Sequence, residues 1–372
     1  MSAPTDVVIV GAGIVGAACA REFARQKLRV EVVDEGIVGG GATAASMGHI
    51  VLMDDSEAQF ALTHYSRALW EEIREELPSN VEYERCGTIW IARDDVEMAV
   101  LHRKCAFCRG HSVDAEILDD KALQEAEPNL CKPLAGGLLV RGDSVIYPPA
   151  AASFFLQEAQ KWGTKVSLGK RVVYAREGKV HLADGTTLAS RFIVNAAGHL
   201  ASKLLTGIRL EPRKGHLVVT DRYPGFVRHQ LIELGYAQSA QANTGASVAF
   251  NVQPRKTGHL LIGSSRQYAA TSTEVDFNIL SQMLSRGFQY LPGLKDLSAI
   301  RTWTGFRAAT PDKLPLIGPW PEDSTLYLAT GHEGLGVTTS LGTARILCDQ
   351  VLGNQPAIPV QPYLPSRQIE SV

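Results

Sequence analysis

Val7-Val8-Ile9-Val10-Gly11-Ala12-Gly13-Ile14-Val15-Gly16, continued by helix-forming residues to Gln26 and then by Val30-Glu31-Val32-Val33-Asp34, is the stretch on which the reading of this chain turns. A short β-branched apolar run is the pattern of a strand buried on both faces. The glycines turn the chain tightly into a helix and a second such run follows, so the stretch reads as one βαβ unit. Gly11 permits the turn, Gly13 lets a pyrophosphate approach the backbone at the helix N-terminus, and Gly16 brings helix and strand together. Asp34 lies 18 residues beyond Gly16, where a carboxylate accepts hydrogen bonds from a ribose diol and repels a 2′-phosphate, which disfavours NADP. A glycine triplet by itself also occurs in ordinary turns of α/β domains. Here strand, glycines, helix, strand and acid follow in order and point to a bound dinucleotide, without separating FAD from NAD.

Outward from that unit, the 372 residues are enough for about two domains. Hydrophobic residues make up 45% and charged residues 20%, ordinary values for a globular chain. A formal charge of -2 gives no basic field for nucleic acid and no cationic face for a membrane surface. No apolar run approaches the roughly 20 residues that span a bilayer. The first strand begins within a few residues of Met1, leaving no room for a secretory or transit segment, so a cytoplasmic location is expected. The cysteines (Cys19, Cys86, Cys105, Cys108, Cys131, Cys348) are scattered and read as reduced thiols. Cys105 and Cys108 form a CxxC inside a stretch, 97–109, that reads as helix. One such pair supplies too few ligands for zinc or an iron–sulfur cluster, and no metal site is expected.

After Asp34 comes Gly39-Gly40-Gly41-Ala42-Thr43-Ala44-Ala45-Ser46-Met47-Gly48-His49. A loop so poor in side chains is expensive to order and usually exists because something approaches its backbone, and the hydroxyls of Thr43 and Ser46 suit a second phosphate-contact segment. Residues 55–77 place Phe60, Leu62, Leu69, Ile73 and Leu77 at helical spacing, and Pro78 ends the helix. Residues 81–93 alternate as one or two strands. A short strand is expected over 138–145, ended by Tyr147-Pro148-Pro149, then a helix over 150–162 and two strand-like runs within 166–184 joined through Gly178. Phe192-Ile193-Val194-Asn195-Ala196-Ala197-Gly198 repeats the pattern of a buried parallel strand running into small residues.

From 211 the pattern changes. Residues 216–220, 247–253 and 259–264 read as antiparallel strands, the last two joined at Lys256-Thr257-Gly258, followed by a helix over 274–291. The C-terminal part holds the strand Leu326-Tyr327-Leu328-Ala329 and then Gly331-His332-Glu333-Gly334-Leu335-Gly336, a second glycine-rich turn running into a helix N-terminus. The fold class expected is α/β plus α+β: a Rossmann-like, glutathione-reductase-type nucleotide domain assembled from 1–80, 140–210 and 301–372. An antiparallel-sheet substrate domain, 81–139 and 211–300, is inserted into it.

The chain resembles the D-amino-acid oxidase-like family of FAD-dependent amine and amino-acid oxidoreductases over nearly its whole length. The resemblance rests on the N-terminal glycine unit, on Ala42-Thr43 to Gly48, on Phe192 to Gly198, on Gly305-Phe306-Arg307 with Pro311-Asp312, and on Leu316-Ile317-Gly318 with Gly331 to Gly336. It implies FAD, with the ADP half on Gly11, Ala12, Gly13, Ile14, Val15, Gly16, Asp34 and Glu35, and with Val172 near the adenine. It places the isoalloxazine between the 43–49 segment and the 331–338 turn, and it adds Ala42, Thr43, Ser46, Met47, Gly48, Ala197, Gly198, Gly305, Gly331, Gly334, Leu335, Gly336, Val337 and Thr338 to the residues that hold the cofactor. Relatives with covalent flavin use a Cys or His at set positions. No cysteine stands in either flavin-facing turn here, so noncovalent FAD is expected.

Lys214-Gly215-His216-Leu217-Val218-Val219 and Ala329-Thr330 with the turn after it look most like a narrower group: the D-hydroxyproline dehydrogenase β subunit, the corresponding opine oxidase subunit and the hydrogen cyanide synthase flavin subunit. That likeness implies oxidation of cis-4-hydroxy-D-proline to 1-pyrroline-4-hydroxy-2-carboxylate, with electrons passed to iron–sulfur partner subunits. The alternatives are an opine, glycine or sarcosine oxidase or dehydrogenase and, in another class, a flavin subunit that relays electrons or scaffolds partners. The expected chemistry is hydride transfer from Cα–H to flavin N5, for which the protein orients the substrate and holds its carboxylate. Arg307 matches the family's carboxylate-binding arginine, and its guanidinium offers a planar bidentate fork. His49, His332 and Glu333 are further catalytic candidates, the last two chiefly through their backbone. Arg301 is a weaker second cation, and Tyr236, Tyr268 and Trp303 are candidate pocket walls.

Overall fold

The computed structural model describes residues 5–234 and 245–368. Tyr236 lies outside them. The first strand, Thr5–Val10, pairs in parallel with Val30–Asp34 on one side and Thr187–Asn195 on the other, and parallel pairing continues to Lys165–Leu168 and to Asp323–Thr330. Leu316–Trp320 closes this eight-stranded sheet by antiparallel pairing, and the hairpin Val172–Arg176 with Lys179–Leu182 branches from Thr187–Asn195. Parallel strands with helices on a face must be apolar throughout, and Val7, Val8 and Ile9 are fully buried.

The first helix (Ile14–Arg25) packs against the last (Gly336–Leu352) and against Pro148–Lys161. Small residues make this closeness available: Ala17, Ala18, Ala20 and Ala24 line the first helix, and a Cβ on Gly342 of the last would collide with Ser66 Oγ of helix Glu57–Glu72. Cys19 and Cys348 are buried here, and burial pushes their thiols up in pKa. Cys105 and Cys108 lie on the buried face of helix Asp95–Gly110 within an apolar cluster under the second sheet.

The second sheet also has eight strands, in the order Ala299–Ala309, Glu211–Arg222, His259–Gln267, Ala246–Pro254, Gln230–Glu233, Thr88–Ala92, Gly136–Val140, Ala115–Asp119. It is antiparallel except between Gln230–Glu233 and Thr88–Ala92, which run in parallel, so the sheet is mixed. Helix Phe277–Tyr290 covers its outer face, sealing Phe250, Met283 and Tyr290. Strand Ala299–Ala309 pairs along most of Glu211–Arg222, so the second sheet takes up residues beyond the boundary expected at 301.

Three local expectations change. The strand expected over 138–145 is two: Gly136–Val140 belongs to the second sheet, while Ser144–Val145 pairs with His49–Ile50. The break falls at Asp143, whose carboxylate is drawn inward by Arg67 and by the Leu52 N–H. Pro148 and Pro149 do not precede their helix but open it, because the first turn needs no N–H donor there and a fixed φ suits it. The region 166–184 holds three strands, the last two forming the hairpin at Gly178.

Candidate functional site

At the first turn, Gly11 has φ +114°, donates its N–H to Val33 O at 2.8 Å, and a Cβ there would stand 2.5 Å from Ala196 O. A Cβ on Gly16 would collide with Gly11 O, so this glycine sets how closely the helix approaches the strand. Asp34 is tied down by the N–H of Ala12 on Oδ2 and of Gly36 on Oδ1, both at 2.7 Å. It orders the turn it was expected to serve and still faces the cavity that the turn borders.

The second segment crosses back over the first. Thr43, on the short helix Gly41–Ala44, accepts the Ile14 N–H at 3.0 Å, and Ser46 Oγ donates to Thr43 O. Gly48 turns the chain at φ +79°, where a Cβ would meet Ile146 O. His49 Nε2 then donates to Gly334 O at 3.1 Å, and Thr338 Oγ1 donates to His49 O while accepting the Val51 N–H. The N-terminal and C-terminal glycine turns are thus stitched together across nearly 290 residues of sequence.

Between them lies a cavity of about 730 Å³. It runs from Asp34, Glu35 and Val172 past Gly11, Gly13, Ile14 and Val15, under Ala42, Thr43, Ser46, Met47, Gly48 and His49, to Ala197, Gly198, Gly305, Arg307, Gly331, His332, Glu333, Gly334, Gly336 and Val337. Ala12, Gly16 and Thr338 stand behind this wall and shape it, and Leu335 faces an adjoining cavity. Lys170, Arg171, Ile37, His199, Leu217, Asn251 and Ser264 line the cavity as well and carry no sequence signal that singles them out.

An FAD molecule fits what these residues offer. The first and last helices open at the same cavity without a side-chain cap from their own N-cap residues, leaving amide N–H groups and the positive dipole ends for a pyrophosphate and an electron-rich ring. The glycines leave room where side chains would fill the cradle, and the acid at the strand end suits a ribose.

The charged end of the cavity belongs to Arg307. Its strand neighbour Arg213 pairs with it in register, and Gly215 gives it space: a Cβ on Gly215 would stand 2.5 Å from Arg307 Nη1. Arg307 Nη1 donates to Ser265 O at 3.0 Å. Glu333, held at φ +48° in the second glycine turn, accepts from Arg213 Nη1 at 3.1 Å and Arg266 Nε at 3.3 Å. Burial opposes its charge, but Arg266, Arg213 and Arg307 outweigh burial and hold the carboxyl below its ordinary range. Glu333 is therefore an ionised anchor at neutral pH.

Burial pushes His49 down to about 4, against the opposing hydrogen bond to Gly334 O and with help from Arg307 and Arg266. With Nε2–H committed to Gly334, Nδ1 is an acceptor, buried and without a partner among the described residues. His332 is also pushed down to about 4 by burial, but its Nε2 bonds Thr343 Oγ1 on the last helix, so the ring braces that helix. Arg301 is exposed beside Trp303, and neither it, Trp303 nor Tyr268 lines the cavity; Tyr268 instead lies against Arg213.

Comparison with known proteins follows the same lines. A glycine oxidase of Geobacillus kaustophilus is 28% identical over 99% of this chain and 98% of its own length. The hydrogen cyanide synthase subunit HcnC of Pseudomonas aeruginosa is 26% identical over 99% and 97%. The crystal structure of the Geobacillus glycine oxidase superposes with a TM-score of 0.86 at 27% identity, covering 96% of this chain and 97% of that one. L-proline dehydrogenase from P. horikoshii shares the fold at a TM-score of 0.89 and 22% identity, covering 100% and 99%. The model of the DAO family, described as FAD dependent oxidoreductase, matches residues 6–350, and with the cradle just described the chain belongs to that family and takes FAD as its cofactor.

Proposed function

We propose that the chain oxidises the C–N bond of a small amino or imino acid. The observation that carries this reading is Arg307, a guanidinium seated in its own notch at the end of a cavity bordered by both glycine turns. Bound there, FAD supplies the acceptor for a hydride. Arg307 then pairs with the substrate carboxylate and fixes which C–H faces that acceptor. His49 Nδ1 accepts a hydrogen bond from the substrate nitrogen. A ring pushed down to about 4 is a weak base at neutral pH, so the amine reacts in its neutral form and its proton leaves through solvent. The substrate, having lost a hydride and a proton, is an imine that water hydrolyses. Glu333 holds Arg213 and Arg266 in place without exchanging a proton.

Glycine oxidases and HcnC among the relatives support the broad reading, and a carboxylate clamp has no use in a protein that only relays electrons. The finer expectation, cis-4-hydroxy-D-proline with iron–sulfur partner subunits, rests on motif likeness alone. Anaerobic mixing of the FAD-loaded chain with glycine, sarcosine, the enantiomers of proline, cis-4-hydroxy-D-proline and an opine is the test. Bleaching by one or more of them is expected. A flavin that dithionite bleaches while every amino and imino acid leaves it yellow would overturn the proposal. The rate of recolouring in air then separates oxidase from dehydrogenase.

A further inference from the structure

The cavity that holds Arg307 adjoins a second one of about 240 Å³, with His49, Asn251, Glu333 and Gly334 in both walls. One wall is the second sheet. Ile232 stands opposite Asn251 on one neighbouring strand and Trp90 on the other, and Gln230 lies two residues along, so these side chains share a face. That face carries polar atoms where a sheet covering a closed core would be apolar. Gln230 and Asn251 are 1% and 2% exposed, yet Gln230 Oε1 and Asn251 Oδ1 have no partner among the described residues. Leaving such an atom unpaired costs roughly 1–3 kcal/mol, so a partner from outside the described residues is implied.

Gln230 Nε2–H donates to Thr88 Oγ1 at 3.2 Å. The carbonyl is therefore the end of the amide left over, in a residue that lines the second cavity.

We propose that Gln230 is a specificity-determining residue: its Oε1 receives a neutral hydrogen-bond donor, a hydroxyl, on the part of the substrate that extends past Asn251 away from Arg307. One carbonyl balances one O–H, whereas an apolar end would leave Gln230 Oε1 buried and unpaired. Of the carboxylates lining this cavity, Glu333 is bound to Arg213 and Arg266 and Asp312 to Arg367, while burial holds Asp55 above the ordinary carboxylate range and so disfavours its charged form. The inference rests on the amino- or imino-acid reading above and narrows it to hydroxyl-bearing members.

Substrate pairs differing by one hydroxyl test it: 4-hydroxyproline against proline and serine against alanine, in both enantiomers, with a diamino acid as a cationic control. Binding is read from calorimetry of the FAD-loaded chain, and kcat/KM from anaerobic bleaching. The hydroxylated member of an accepted pair is expected to be favoured roughly 10- to 100-fold in both readouts. In Gln230→Leu and Gln230→Met that ratio falls towards one. Ratios near one in the wild-type chain, or preference for the diamino acid, would overturn the inference while leaving the proposed function standing. If nothing bleaches the flavin and no pair is distinguished in binding, both fall. Should the variants not fold, the wild-type ratios alone decide.

Discussion

Arg307 shows how one side chain is made useful by its neighbours. Gly215 supplies the notch and Ser265 O one anchor, so the fork is held in place before substrate arrives. Arg307→Met is expected to lower kcat/KM by roughly 10²–10³-fold, mostly through KM, with the flavin spectrum preserved. Gly215→Ala should move activity the same way by displacing the guanidinium, and steady-state kinetics with the best substrate from the panel checks both. The buried histidines give a pH signature. His49 and His332 are pushed from 6.5 to about 4 in the folded chain, so the unfolded state binds more protons between those values and stability falls as pH drops through that window. Each contributes up to roughly 3 kcal/mol. Urea midpoints of the chain measured from pH 7 to pH 4 should decline steeply, and less so in His332→Gln.

Elements here are placed by small residues. The first helix meets the first strand only because Gly16 has no side chain, and strand Ala299–Ala309 comes against the end of the short helix Gly41–Ala44 only because Gly305 has no Cβ, which would collide with Ala45. Gly16→Ala should push the first helix off the sheet and remove its amides from the pyrophosphate position. The expected outcome is soluble protein with less than about a tenth of the wild-type flavin content, read as the ratio of flavin to protein absorbance. The same element shows what a pattern can carry. A β-branched run, a glycine turn and an acid are local, and so is the helix after them. The break at Asp143 was not legible, because an acid between two apolar runs looks like a surface residue until Arg67 and Leu52, far along the chain, are folded against it.

At the scale of the molecule, Glu333 joins the two sheets: its backbone belongs to the second glycine turn and its carboxylate to Arg213 and Arg266 of the inserted sheet. Withdrawing that charge from two buried guanidiniums should destabilise the whole. Glu333→Gln is expected to cost roughly 3–5 kcal/mol in the apoprotein, seen as a lower melting temperature. Added FAD binds only the folded cradle and should raise the melting temperature of wild type and variant alike, by about 4 kcal/mol of stability when free FAD exceeds its Kd a thousandfold.

The chain's own order of residues determined the nucleotide unit, the second glycine turn and the alternation of the inserted strands, all of them properties of neighbours in sequence, written in spacing and in the absence of Cβ atoms. Arg307 stood out only through the family resemblance of Gly305-Phe306-Arg307. Only the tertiary structure decided that strand Ala299–Ala309 joins the second sheet, that His332 braces the last helix while His49 keeps a buried ring nitrogen without a partner among the described residues, and that Gln230 and Asn251 line the second cavity. Which face of a strand is inward depends on register with strands more than a hundred residues away. A glutamine or asparagine reads as an ordinary surface residue until that register buries it.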